Sequence, residues 1–177
     1  MAGPSGEVPT ETWIEAARLA PWGRPSRFRP PHADQAAELA RVYARVDEAL
    51  RPVASSCRAC GQCCRFGPAT PVLFASTLEL AYLVAIAGMP PPERRVVPGP
   101  PHAPWQCPYQ EGDRCTTREA RTLGCRTYFC DSAARVHGER VYAEAVGEIR
   151  RIAARRKCGW WYGPARFYFA NLGNRGG

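Results

Sequence analysis

From Asp34 to Arg51 the apolar residues Leu39, Val42, Tyr43, Val46 and Leu50 recur at three- and four-residue steps, the period of a helix that buries one face. Pro52 stops that run. Ser76-Thr77-Leu78-Glu79 matches a capping box and opens a second helix through Leu80, Leu83, Val84 and Ile86, which Gly88 and Met89-Pro90 close. A third helix is expected from Gly138 to about Lys157, with Val141, Tyr142, Ala145, Ile149 and Ile152 on one face. Arg150, Arg151, Arg155 and Arg156 crowd its last turns, where cations suit the helix dipole.

The intervening segments read differently. A short helix is expected over Thr12–Ala20, followed by an extended stretch in which Pro21, Pro25, Pro30 and Pro31 alternate with arginines. Residues 90–104 contain seven prolines and read as a stiff surface connection. Glu111-Gly112-Asp113 reads as a tight turn, which predicts a short hairpin between Gln106–Tyr109 and Arg114–Thr116. The pattern predicts a small, mainly α domain with irregular cysteine-rich loops. Its expected boundaries are an extended segment over 1–32, the domain over 33–170 and a flexible tail over 171–177.

The 177 residues suit one domain. No run approaches about 18 consecutive apolar residues, so no membrane-spanning helix is expected. The opening MAGPSGEVPTETW has neither a charged nor an apolar leader region, which makes the reducing cytoplasm the expected location. The formal charge is +8, yet of the 24 basic residues only Lys157 is lysine, and arginine, alanine and proline are abundant throughout. Were eight cysteines thiolates, the polypeptide charge would fall from +8 to zero, so the basicity is accounted for internally. A nucleic-acid partner is therefore not expected.

The nine cysteines carry the chemistry. Cys57-x2-Cys60-x2-Cys63-Cys64 places sulfurs at intervals that let a short loop turn them toward one ion, as in zinc and iron–sulfur sites. Neighbouring side chains diverge, so Cys63 and Cys64 are not expected to serve one tetrahedral centre. The second group is Cys107-Pro108, Cys115, and Cys125-Arg126-Thr127-Tyr128-Phe129-Cys130. A proline after a ligating cysteine is a feature of iron–sulfur runs. Although 42 residues lie between Cys64 and Cys107, closing that loop costs only ~3 kcal/mol. Structural zinc supplies ~10–16 kcal/mol. Metal binding wins, and the two groups can share a site.

Cys57–Cys64, CPYQEGDRC and REARTLGCRTYFC together resemble the CxxCxxCC cysteine-cluster family, often called YkgJ-like, over roughly residues 55–131. Its members are described as zinc- or iron-chelating domains and in part as iron–sulfur oxidoreductases. The resemblance implies Cys57, Cys60, Cys63, Cys64, Cys107, Cys115, Cys125 and Cys130 as metal ligands; Cys158 has no place in it. The family's prolines after Arg121 and before the last cysteine are Thr122 and Phe129 here. The cluster is also similar to part of the flagellin lysine N-methylases, but no S-adenosylmethionine signature stands out.

Arg121 and Arg126 flank the second group and are candidates to offset thiolate charge or donate to sulfur. His32, His102 and His137 are weaker ligand candidates beside eight thiols, and no catalytic acid–base constellation stands out. The expected function is a metal-binding protein holding an iron–sulfur cluster, of the 4Fe-4S type, or zinc or iron ions, with a redox, metal-handling or accessory role. The alternatives are a zinc-stabilised interaction module, whose basic and aromatic C-terminal half meets a protein partner, and a protein-modifying enzyme.

Overall fold

The computed structural model describes residues 30–67, 72–94, 104–155 and 160–171. The expected helix over Thr12–Ala20, His102, Cys158 and the tail beyond Asn171 lie outside the described residues. The described chain is mainly helical, with a few short antiparallel strands. Helix α1 spans Ala33–Leu50, α2 Thr77–Ala87, α3 Leu123–Thr127, α4 Ser132–Arg155 and α5 Ala165–Asn171. Strands β1 (Arg65–Phe66), β2 (Phe74–Ser76), β3 (Trp105–Gln106), β4 (Gln110–Glu111), β5 (Arg114–Cys115) and β6 (Tyr162–Pro164) form three two-stranded antiparallel ladders, β1–β3, β2–β6 and β4–β5.

Helices α1 and α4 run antiparallel. Their flanks are fastened by Gln35 Nε2 donating to the Ile152 carbonyl (3.3 Å), by the Arg45–Glu148 ion pair (2.6 Å) and by His137 against the Ala49 carbonyl (2.8 Å). Between them Leu39, Val42, Tyr43, Val46 and Leu50 pack with Val141, Ala145, Ile149 and Ile152, the apolar faces read from the sequence. A second core gathers Leu73, Leu80, Leu83, Val84, Tyr109, Trp161, Tyr168 and Phe169. Helix α2 is apolar nearly all round and serves both: Leu78 packs into the first core, Leu80, Leu83 and Val84 into the second.

The capping box of α2 does more than start a helix. Glu79 is buried and accepts from the Ser76 amide and hydroxyl (2.8 Å each), from the Leu123 amide (2.8 Å) and from the Tyr43 hydroxyl (3.3 Å). One carboxylate thus ties α1, α2 and α3 together, and burial raises its pKa above the ordinary carboxylate range.

Two expectations are corrected. The hairpin about Gly112 lies at Gln110–Glu111 and Arg114–Cys115, while Trp105–Gln106 instead pairs with Arg65–Phe66. The stacking of Phe66 on Trp105, 4.2 Å between ring centres, accompanies that pairing. Helix α4 begins at Ser132 rather than Gly138, because Asp131 Oδ1 accepts from the Ala134 amide (2.8 Å) and starts the helix early.

Candidate metal centre

The first cysteine loop is built from tight turns. A 3₁₀ turn over Arg51–Ser56 leads out of α1, and the Cys57 amide donates back to the Ala54 carbonyl (3.2 Å). Ala59 and Gly61 then adopt positive φ, 51° and 71°. A Cβ on Gly61 would stand 2.6 Å from the Asp113 carbonyl and from Gln110 Nε2, so glycine is what lets this loop touch the second cysteine group. The Gly61 carbonyl accepts both from Gln110 Nε2 and from the Cys64 amide, at 3.0 Å each.

From Cys64 the chain enters β1, and the Cys107 amide donates to the Cys64 carbonyl at 2.9 Å. The Cys107 carbonyl accepts from the Gln110 amide (3.0 Å), and Gln110 lies opposite Cys115 in the β4–β5 ladder. Backbone hydrogen bonds therefore carry Cys64, Cys107 and Cys115 into one neighbourhood. Cys125 arrives on α3, whose first amide Glu79 holds. Cys130 follows where α3 gives way to α4. There Gly138 permits a close approach, since a Cβ on it would meet the Thr127 carbonyl at 2.0 Å.

All eight cysteines of the two groups line one cavity of about 1230 Å³. Its remaining wall includes Phe66, Leu73, Tyr109, Tyr142, Tyr162 and Phe169. Tyr142 and Tyr162 meet hydroxyl to hydroxyl at its side. No described cysteine is in a disulfide. Among the described residues no three His, Cys, Asp or Glu side chains are grouped so as to hold an ion.

The thiols perturb one another. Cys63 is pushed up by its hydrogen bond with Cys64 and by burial, and Arg121 opposes the rise. Cys64 rises to about 12, through a hydrogen bond with Cys107, burial and the nearby Cys107 and Cys115 charges. Burial first, then Cys64 and Cys115, lift Cys125 to about 12, against Thr122 and Arg121. Cys130 is raised by burial and by Cys60, Cys63 and Cys57, with Arg135 opposing. Gathered without a cation, such thiols keep their protons; a bound cation reverses that balance. The donors present are soft sulfurs, which fit zinc, iron or an iron–sulfur cluster.

Arg121 lines the cavity and bears on both Cys63 and Cys125. Arg126 is engaged elsewhere. Its guanidinium pairs with Asp47 (2.5 Å), donates to the Arg121 carbonyl (2.8 Å) and the Glu119 carbonyl, and lies 4.1 Å over the Tyr43 ring. It bears on the site through the backbone that leads into Cys125, at Glu119 and Arg121. His32 caps α1 and His137 meets Ala49; neither lines the cavity. The aromatic C-terminal segment largely enters the core, with Trp161, Tyr168 and Phe169 buried.

Sequence reasoning did not anticipate the roles of Gly61 and Asp131. A glycine inside the x2 spacer and an aspartate just before a helical run were the available signals. Searched against family models, curated proteins and solved structures, the chain matches none. No helix among the described residues is long and apolar enough to cross a membrane.

Proposed function

We propose that the chain is a metal-binding protein whose eight patterned cysteines hold an iron–sulfur cluster or zinc or iron ions, in a redox, metal-handling or accessory role. What carries this reading is the meeting of all eight at one cavity, although they come from segments far apart in sequence. Consecutive x2 spacings and Cys107-Pro108 favour iron–sulfur ligation over zinc. When bound, such a centre supplies one-electron chemistry at a potential tuned by burial and nearby charge. The chain's own part is to supply thiolates, to offset their charge with Arg121, and to wall the site with aromatic side chains. The sequence reading places the chain in a reducing compartment such as the cytoplasm.

A second reading, a zinc-stabilised module without redox chemistry, is favoured by the ladders around the cysteines. Strands β1, β3, β4 and β5 are two residues each, too short to be stable alone. Purification without oxygen separates the two. A coloured protein with stoichiometric iron and acid-labile sulfide supports the first reading; a colourless one with stoichiometric zinc supports the second.

A further inference from the structure

A second cavity, of about 740 Å³, is lined by Trp105, Gln110 and Arg166, with Glu93, Arg94 and Glu111 also on its wall. We propose that it binds a free amino acid, whose carboxylate meets Arg166 and Trp105 and whose ammonium meets Gln110 and Glu93. Binding there needs no metal at the cysteines.

Ring packing brings the three inner residues together. Trp105 and Tyr109 both pack on Phe169, at 6.3 and 5.9 Å between ring centres. Arg166 stands three residues before Phe169 on α5, a spacing that puts the two on one side of the helix. Gln110 follows Tyr109 into β4. Arg166 and Gln110 are each 4% exposed. A guanidinium held away from water offers a planar fork of donors that matches a carboxylate.

Two polar atoms of this wall are buried with no hydrogen-bond partner among the described residues: Trp105 Nε1, a donor, and Gln110 Oε1, an acceptor. The orientation of the Gln110 amide is fixed, because its Nε2 donates to the Gly61 carbonyl at 3.0 Å. Buried polar groups are nearly always paired, so the wall calls for an acceptor at Trp105 and a donor at Gln110.

Water answers either demand singly; the charges favour an amino acid. Arg94 and Glu111 neutralise each other in an ion pair of 2.9 Å. The other two charges on the wall are Arg166, buried, and Glu93, exposed. A simple anion meets Glu93 unfavourably, and a simple cation meets Arg166 unfavourably. A zwitterion suits both, with its carboxylate inward on Arg166 and Trp105 Nε1 and its ammonium on Gln110 Oε1 toward Glu93. The volume leaves room for a side chain as well.

The test uses the full chain, reduced and isotope-labelled for nuclear magnetic resonance, with the Trp105 indole N–H signal assigned by its loss in Trp105→Phe. The protein amino acids are added singly, each beside the matching carboxylate that lacks the amino group. The expected result is a saturable shift of that signal with at least one amino acid, which binds about tenfold or more tighter than its carboxylate counterpart. Glu93→Gln, at an exposed position, should weaken the amino acid but not the carboxylate. Arg166→Lys keeps the charge, loses the fork and should weaken both about tenfold; Glu93→Gln keeps the test decisive should that chain fail to fold. A folded wild type whose Trp105 signal moves with no amino acid overturns the assignment, as does a carboxylate that binds as tightly as its amino acid.

Discussion

The amide of Cys107 donates to the carbonyl of Cys64 at 2.9 Å, so the two cysteine groups are stitched together by main chain before any metal is considered. Phe66 and Trp105, two residues further along the same ladder, stack at 4.2 Å and support the joint. Trp105→Ala should cost about 2–4 kcal/mol, from lost burial and stacking. It should also lower metal content. Denaturant melts and elemental analysis of one preparation check both, and a destabilised variant with full metal content would separate the ladder from the site.

Gly61→Ala places a methyl group against the Asp113 carbonyl and Gln110 Nε2 at a positive φ. Strain and clash together should cost more than about 1–2 kcal/mol and push the first cysteine loop off the second. Gly147→Ala is the matched control, because it lies in α4 with open space around it. That change should stabilise by about 0.5–1 kcal/mol. Thermal melts of the two variants should shift in opposite directions.

Glu79→Gln replaces one carboxylate oxygen, which accepts hydrogen bonds, with a donor facing donors. A loss of about 1–3 kcal/mol is expected. Burial raises the Glu79 pKa in the folded chain above its unfolded value. Its protonated form is therefore favoured on folding, and that contribution is complete below the ordinary glutamate range, about 4.3, and declines as pH rises through the folded value. The stability advantage of wild type over Glu79→Gln should shrink over the pH window that opens above the ordinary glutamate range, in urea denaturation of the stripped protein. An advantage that grows over that window contradicts the assignment.

Arg126 is 3% exposed at its side chain and its partner Asp47 is 53% exposed, so the two ends of this pair should behave differently. Arg126→Ala removes the guanidinium from Asp47, two carbonyls and the Tyr43 ring, and should cost about 3–5 kcal/mol. Arg126→Lys should not restore it, since an ammonium lacks the fork. Asp47→Asn should cost no more than about 1 kcal/mol, the usual worth of an exposed ion pair. Equal losses at the two ends would argue against a buried clamp.

The helices were legible because their apolar residues recur at helical period: Leu39 through Leu50 and Val141 through Ile152 face each other as the pattern requires. The capping box at Ser76 was equally readable, but a local motif could not reveal that Glu79 also reaches Leu123 and Tyr43. The pairing of β1 with β3 was invisible because two-residue strands carry no period and the partners are far apart in sequence. Cysteine spacing singled out eight residues that line one cavity. Their division into exposed and covered sets depends on tertiary burial, which spacing does not encode.

Native mass spectrometry of the chain, purified and sprayed under reducing, oxygen-free conditions, bears most directly on whether these sulfurs hold an inorganic centre. The prediction is that compact charge states carry bound metal above the 19.5 kDa polypeptide mass and that Cys60→Ser carries less. A compact, metal-replete-grown chain found only at its bare polypeptide mass would contradict it.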